Sequence, residues 1–242
     1  MIPKTIHYCW FGGKSKPQSF INCMESWRKY CPDFTIKEWN EDNFDVTQNI
    51  YCIEAYENKK WAFVSDVARL SALYNVGGIY MDTDVEVKKP FDKLLNDEVF
   101  FGFETPVFVG TNMIGSCKGN EFILSLLKAY DDRRFINSDG KLDTTTNVAC
   151  TTKSAQAMGL ILNGKQQRIN KITFYPQEYF CPYDYTTGQM IKSYQTYSIH
   201  WYAQSWIAPK NKRRAKITKV FHRVFGVNCF RWLRNDLKIK AI

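Results

Sequence analysis

Asp82-Thr83-Asp84 is where reactive side chains are most concentrated in this sequence. The pair follows the apolar run Gly78-Ile79-Tyr80-Met81 and precedes Val85-Glu86-Val87, so both acids lie within strand-like sequence. Carboxylates at i and i+2 of an extended segment project to one side, with Cα atoms about 6 to 7 Å apart, and can share a divalent cation or divide it with a ribose. Hard carboxylate oxygens suit Mn²⁺ or Mg²⁺, and those ions suit diphosphates. The plainer reading is a solvated strand end at which two acids happen to alternate, and Asp-x-Asp alone does not choose between the two.

Upstream, Phe63, Val67, Leu70 and Tyr74 recur at helical spacing as an apolar core stripe, with Asp66 and Arg69 on its flank. Three residues apart on one helix, a carboxylate and a guanidinium can pair as structure or point together into a cleft. His200 opens the run His-x-x-x-x-Ser-Trp that ends at Ser205-Trp206. An imidazole at that place is either a metal ligand or a hydrogen-bonded core residue. Trp10 ends a strand-like segment at the place where an α/β sheet receives a nucleotide base; its face can stack on that base or fill the core, and Tyr8 is its neighbour. Tyr80, two residues before Asp82 on the apolar run, fills the core on the plainer reading. His7, on the same apolar strand as Tyr8, is read as structural.

The elements that must position these residues alternate between strand and helix, which predicts an α/β layered domain. Lys4 to Trp10 reads as a strand closed by Gly12-Gly13, Pro17 to Tyr30 as a helix and Phe34 to Trp39 as a second strand, together one crossover unit. Ile50 to Asn75 reads as two helices broken near Asn58 to Lys60. Gly77-Gly78 caps the second, and Gly78 to Pro90 reads as a strand interrupted by the two carboxylates. Glu98 to Phe103 and Val107 to Ile114 are further strand-like runs, Asn120 to Tyr130 and Cys150 to Leu162 helices, and 171 to 200 short strands and loops.

Of the 242 residues, 45% are apolar and 16% aromatic, enough to bury one core and to exclude intrinsic disorder. A net charge of +9 points first to nucleic acid or an anionic membrane, but its distribution decides. From Pro209 to Ile242 eleven basic residues face one acid, giving +10, whereas residues 1 to 208 carry −1. So neutral a body has no general phosphate-backbone footprint, and no nucleic-acid partner is expected. In the tail Ile217, Val220, Phe221, Val224 and Phe225 recur at helical spacing beside Lys216, Lys219 and Arg223. That is the pattern of a basic amphipathic helix at an anionic membrane surface, or of one packed on the body. The eight cysteines form no C-x-x-C pair and the opening residues hold no signal-peptide core, so a cytoplasmic chain with reduced thiols is expected.

With these residues assembled, the segments IPKTIHYCWFGG, AFVSDVARLSALYNVGGIYMDTDVEV and HWYAQSW resemble glycosyltransferase family 32. Its members include bacterial capsular polysaccharide and lipopolysaccharide transferases and Golgi mannosyl- and galactosyltransferases. The likeness runs from Ile2 to Trp206, and its most specific part is Ser-Asp-x-x-Arg followed by Gly-Gly-x-Tyr-x-Asp-x-Asp. The resemblance implies a GT-A fold, a nucleotide-sugar donor (UDP-sugar ahead of GDP-sugar), Mn²⁺ or Mg²⁺, and retention of anomeric configuration. By position, Asp84 resembles the direct metal ligand, and Asp82 the acid that contacts the ribose and holds the metal through water. Asp66 and Arg69 resemble the pair that grips the ribose and donor sugar, and His200 the metal ligand supplied late in the chain. Ser205 and Trp206 resemble the residues beside the diphosphate, where an indole N–H steadies charge on the leaving group. Asp82, Asp84, Arg69 and Trp206 are therefore the expected catalytic residues, with Tyr8, Trp10 and Tyr80 as further donor contacts. Asn112 and Thr145-Thr146-Asn147 are expected near the sugar and acceptor pocket.

On this reading residues 1–208 form a GT-A catalytic domain and 209–242 a basic helical tail. The chain is expected to be a retaining hexosyltransferase of surface polysaccharide synthesis, acting on a glycan or lipid-linked oligosaccharide at the inner face of the cytoplasmic membrane. One alternative is a haloacid-dehalogenase-like phosphatase with Asp82 as nucleophile, although that family carries its motif near the N-terminus. The other is a catalytically silent sugar-binding module, against which the completeness of the set Asp66, Arg69, Asp82, Asp84, His200, Ser205 and Trp206 argues.

Overall fold

The structure is a computed structural model that describes residues 1–203, 219 and 222–226. Thr5–Cys9 (β1), Gln18–Tyr30 (α1) and Thr35–Trp39 (β2) form the expected crossover unit, with β1 and β2 parallel. Ile50–Glu57 (α2) and Trp61–Asn75 (α3) lead into Gly78–Met81 (β3), parallel to β1, and Val85–Val87 (β4) follows. Val99–Thr105 (β5) and Phe108–Ser116 (β6) make a hairpin. Glu121–Lys128 (α4), Asn147–Ala157 (α5), Gln167–Ile169 (β7), Ile172–Tyr175 (β8), Gln177–Phe180 (α6) and Ser198–His200 (β9) complete the described elements.

Seven strands form one mixed sheet in the order β2-β1-β3-β6-β5-β8-β7, and β4 with β9 forms a separate two-stranded ribbon. The expected α/β class is the one observed. Since β3 and β5 both run antiparallel to β6, and β1 runs parallel to β3, the carboxyl ends of β1, β3 and β5 line one edge of the sheet. One face carries α3, α4 and α5 over a core that includes Leu73, Phe101, Phe103 and Ile123. The other carries α1 and the β4-β9 ribbon over Phe20, Trp27, Phe91 and Phe100.

Three expectations are corrected. Gly78 to Pro90 is not one strand: β3 ends at Met81, Thr83 and Asp84 turn, the Val85 N–H donates to the Asp82 carbonyl at 3.1 Å, and β4 leaves for the second sheet. Burial drives that departure, because Val85 and Val87 are fully buried under α1 and the Trp27 indole donates to the Val85 carbonyl at 2.7 Å. The buried set of α3 is wider than one stripe and is centred on Val64, Val67, Ala68, Leu70, Ala72 and Leu73, with Phe63 and Tyr74 at its partly buried margin. Lying between the sheet and α4, the helix also buries Asp66 and Arg69. Helix α5 begins before Cys150 because the Thr146 side chain caps it by accepting from the Ala149 N–H, and it stops before Leu162 because Gly159, at φ +102°, breaks the helical path.

None of the seven described cysteines is paired, and no described helix is long and apolar enough to cross a membrane. In the tail, Lys219 Nζ donates to the Tyr183 hydroxyl at 3.1 Å and the His222 ring lies 3.3 Å from the Thr186 carbonyl, so this part of the tail meets the body. The rest of the expected amphipathic helix, Ile217, Val220 and Phe221, and the 208/209 boundary lie outside the described residues.

His7 is structural, as expected. The Trp39 indole donates to its Nδ1 at 3.1 Å, so the proton resides on Nε2, which donates to the Gly77 carbonyl at 2.7 Å. Gly78 accommodates this ring, since a Cβ there would come within 2.8 Å of Nε2 and 2.5 Å of the Thr5 carbonyl. Burial pulls the His7 pKa from 6.5 to about 4. The neutral ring's stabilisation is therefore complete above pH 6.5 and is lost as pH falls toward 4, about 3 kcal/mol across the window. Urea unfolding at pH 7 and at pH 4.5 should show a larger acid loss in the wild type than in His7→Gln; equal losses would exclude His7 as the cause.

Candidate active site

Strand β3 delivers Asp82 to the carboxyl edge of the sheet, where the Asp82 N–H still donates to the Asn112 carbonyl of β6 at 2.8 Å. The turn that follows swings Asp84 back, and pairing of Val85 with His200 in the β4-β9 ribbon brings the late imidazole against it. Ligand atoms of Asp82, Asp84 and His200 all lie within 4.8 Å of one another. The acids thus converge through a turn and a second sheet, and not through the extended i, i+2 geometry that their spacing suggests. His200 Nε2 lies 3.2 Å from Asp84 Oδ1, the Ala203 N–H donates to Asp84 Oδ2 at 2.6 Å, and the Trp201 N–H donates to the Asp84 carbonyl at 3.0 Å.

Arg69 stands behind this cluster, 5% exposed. Its guanidinium reaches Asp66 at 2.9 Å, Asp82 at 3.4 Å and the Thr111 carbonyl at 2.8 Å, and it lies 4.5 Å from the centre of the Tyr80 ring. Tyr80 donates its hydroxyl to Asp82 Oδ1 at 2.9 Å. Burial opposes the charge on Arg69, but Tyr80, Asp82 and Asp66 together outweigh it. Burial raises the Asp66 carboxyl to about 7, with Arg69 pulling it back down. The pair is buried, and its guanidinium also faces a carboxylate of the partly buried acid motif.

Asp66, Arg69, Tyr80, Asp82, Asp84 and His200 are therefore brought together. Trp10 and Tyr8 lie apart, at the end of β1 on the α1 side. Tyr8 is core, edge-on to Phe20 and Trp27, with its hydroxyl donated to Glu38. Trp10 is partly exposed, stacks on Phe20 at 5.5 Å, and lines an open depression with Lys16, Glu38 and Asn40. Ser205 and Trp206 lie outside the described residues. Asn112 is buried beside the cluster, and Asn147 accepts from the Thr111 hydroxyl at 2.6 Å, tying α5 to the strand that holds Arg69. Thr145 is drawn elsewhere, with its carbonyl accepting from Arg133 at 2.9 Å. Two residues given no role from the sequence complete the edge: Glu104, a single acid in the strand sequence Phe-Gly-Phe-Glu-Thr outside every motif, and Tyr202 within HWYAQSW, whose ring lies 3.9 Å from that of His200.

Two carboxylates and an imidazole form a donor set that fits Mn²⁺ or Mg²⁺, and Asp82, Asp84 and His200 are the residues that would hold the ion. Without it, burial opposes the Asp84 charge, but His200 holds the carboxyl below its ordinary range. Asp84 in turn outweighs burial and keeps the imidazole protonated well above its ordinary value. The cluster is thus prearranged as an ion pair whose proton a cation would replace.

Residues 17–101 match the family model described as "Glycosyltransferase sugar-binding region containing DXD motif", and the DXD resemblance read from the sequence holds. The chain is 28% identical over 131 residues to inositol phosphoceramide mannosyltransferase 3 of Schizosaccharomyces pombe, covering 52% of this chain and 36% of that protein. To mannosyl phosphorylinositol ceramide synthase SUR1 of Saccharomyces cerevisiae it is 26% identical over 147 residues, 56% of this chain and 37% of that one. It therefore spans little more than a third of either yeast protein. Among solved structures, the PaToxG glycosyltransferase is 20% identical with a TM-score of 0.42, covering 52% of this chain and 58% of that one. These yeast relatives are named for ceramide lipids, where the sequence resemblance pointed to capsular polysaccharide and lipopolysaccharide enzymes.

Because Asp84 holds a proton on His200, Mn²⁺ binding should release about one proton per ion and strengthen from pH 6 to pH 8. Calorimetry in buffers of different ionisation enthalpy reads the proton count. Affinity that does not change over that range would remove His200 from the site.

Proposed function

We propose that this chain is a metal-dependent, retaining glycosyltransferase that moves a hexose or N-acetylhexosamine from a nucleotide-sugar, UDP-linked ahead of GDP-linked, to a lipid-borne acceptor. The carrying observation is the convergence of Asp82, Asp84 and His200 beside the buried Asp66–Arg69 pair, within a segment that matches a DXD sugar-binding region. The mannosyl and ceramide names of the yeast relatives support a sugar transferred to a lipid and bring mannose among the candidate sugars.

A divalent ion at the three ligands would neutralise charge on a departing diphosphate. This chain's own residues do the rest. Arg69 fixes the Asp82 carboxylate and, with Asp66, offers charge and hydrogen bonds to the ribose and donor sugar. Tyr80 donates to the same Asp82 oxygen that Arg69 faces. Retention follows from attack on the same face that the diphosphate leaves: the bond from the anomeric carbon to phosphate oxygen breaks, the bond to the acceptor oxygen forms, and the acceptor's proton passes to the leaving phosphate. No protein nucleophile is required, and Asp82, tied to Tyr80 and Arg69, is poorly placed to act as the phosphatase-type nucleophile.

The basic tail supports placement at the inner face of an anionic membrane. Each Lys or Arg near such a surface contributes about 1 kcal/mol, so even half of the eleven would suffice to hold the chain there.

A panel of UDP- and GDP-linked sugars with Mn²⁺ should yield at least one donor that the wild type hydrolyses slowly and that raises its melting temperature. Asp84→Ala should lose about 100-fold or more of that hydrolysis. Undiminished metal-dependent turnover in the variant would overturn the scheme. Deleting residues 210 to 242 should release the protein from phosphatidylserine vesicles while sparing donor hydrolysis, and unchanged vesicle binding would reject the membrane role of the tail.

A further inference from the structure

On the same edge of the sheet, two strands beyond Asp82, stands an acid that the chemistry above leaves unused. Glu104 occupies the carboxyl end of β5, in the bulge where the pairing Phe103 with Val109 passes to Thr105 with Phe108. Bulges beside a site re-aim a single side chain. Facing it, Gly110 carries no side chain; a Cβ there would come within 3.2 Å of the Glu104 Cβ and 2.8 Å of Asn112 Oδ1. The glycine lets Glu104 and Asn112 share one face.

Neither group is satisfied by the fold. Glu104 has no hydrogen-bond or ion-pair partner among the described residues. Asn112 is 3% exposed, its Oδ1 accepts from the Cys181 thiol at 3.1 Å, and its Nδ2 has no partner among the described residues. A buried amide left in that state destabilises the fold, a loss that a ligand accepting from Asn112 Nδ2 would recover, while the partly exposed Glu104 carboxylate stays open to a donor. Burial holds the Glu104 carboxyl above its ordinary range, and His200 and Asp82 act on it in opposite senses, so it lies within electrostatic reach of the acid cluster. Its charge also bears on Tyr185 and Tyr202, whose rings lie 4.9 Å apart.

A carboxylate acceptor and an amide donor near two aromatic faces suit a carbohydrate ring, whose hydroxyls donate to one and accept from the other while its C–H face packs on the rings. The order along the sheet edge agrees. Trp10 follows β1, Asp82 follows β3 and Glu104 closes β5. A ligand with its base at Trp10 and its diphosphate at the acids sends its sugar toward Glu104.

We propose that Glu104 and Asn112 form a carbohydrate-hydroxyl subsite across the acid cluster from Trp10, with Glu104 positioning the ring beside the bond that is made or broken. The inference rests on the glycosyltransferase reading, and the ring belongs to the transferred sugar or to the acceptor.

Glu104→Ala and Glu104→Gln in the full chain test it, with Mn²⁺ present throughout. Three quantities are compared with the wild type: affinity for the nucleoside diphosphate, KM for hydrolysis of the nucleotide-sugar the wild type uses, and transfer to octyl mannoside, glucoside and galactoside. In both supporting outcomes nucleoside diphosphate affinity stays within about twofold and the melting temperature does not fall, because the carboxylate removed makes no hydrogen bond or ion pair within the described fold. If the ring is the transferred sugar, KM for hydrolysis rises about tenfold or more in the alanine variant and less in the glutamine variant. If it is the acceptor, hydrolysis is kept and the KM for octyl glycoside rises by about tenfold. Parallel loss of nucleoside diphosphate affinity, a lowered melting temperature, or no change in any quantity overturns the subsite. A wild type that turns over no donor sinks the glycosyltransferase reading and this inference with it, whereas an active wild type with indifferent variants sinks this inference alone.

Discussion

The buried guanidinium of Arg69 is the tie on which the rest of the site depends. From one helical position it binds Asp66 on its own helix, Asp82 at the end of β3 and the Thr111 carbonyl on β6, with the Tyr80 ring against its plane. A planar five-donor fork can meet three acceptors in different directions, which a lysine ammonium on its flexible stem does not do with the same definition. Burying such a charge is costly, and removing one partner of a buried pair typically costs about 3 to 5 kcal/mol. Helix, strand and acid motif are thereby locked to one another, and Asp82 is held in place before any ligand arrives.

The acid–imidazole cluster follows from a second constraint, the change of sheet after Asp82. A strand continuing straight through the acids would have left them at an edge with no late residue opposite. By turning at Thr83-Asp84 and burying Val85 and Val87 beneath α1, the chain places β4 where β9 can pair with it, and that pairing carries His200 to Asp84. The two carry opposite charges and pair through His200 Nε2 at 3.2 Å, while the buried His200 Nδ1 has no partner among the described residues. Mutual neutralisation keeps the group compact despite its burial.

Much of the scaffold was legible. The crossover unit, the break between α2 and α3, the Gly77-Gly78 stop and the β5-β6 hairpin are each written in local signals: apolar periodicity, a positive-φ glycine, or strand runs separated by Pro106. The misread places had a nonlocal cause. Burial of α3 on two sides erased the single stripe, so Asp66 and Arg69 went inside and not merely to a flank. The ends of α5 were misjudged because Thr146 looked like a site residue and acts as a helix cap. Glu104 carried no signal at all, since an acid in a strand earns meaning only from the bulge and the glycine opposite.

By itself the sequence determined the α/β class, the acid motif and its helix partner, and the separation of a near-neutral body from a basic tail, because these depend on side-chain type, short spacing and summed charge. Tertiary structure alone decided that Asp84 meets His200, that Arg69 reaches three acceptors at once, that Tyr8 lies in the core while Trp10 keeps an open face, and that Glu104 stands on the same edge as Asp82. Those contacts join residues far apart in the chain, and only sheet order and strand direction, set by which apolar faces could be buried together, bring them within reach.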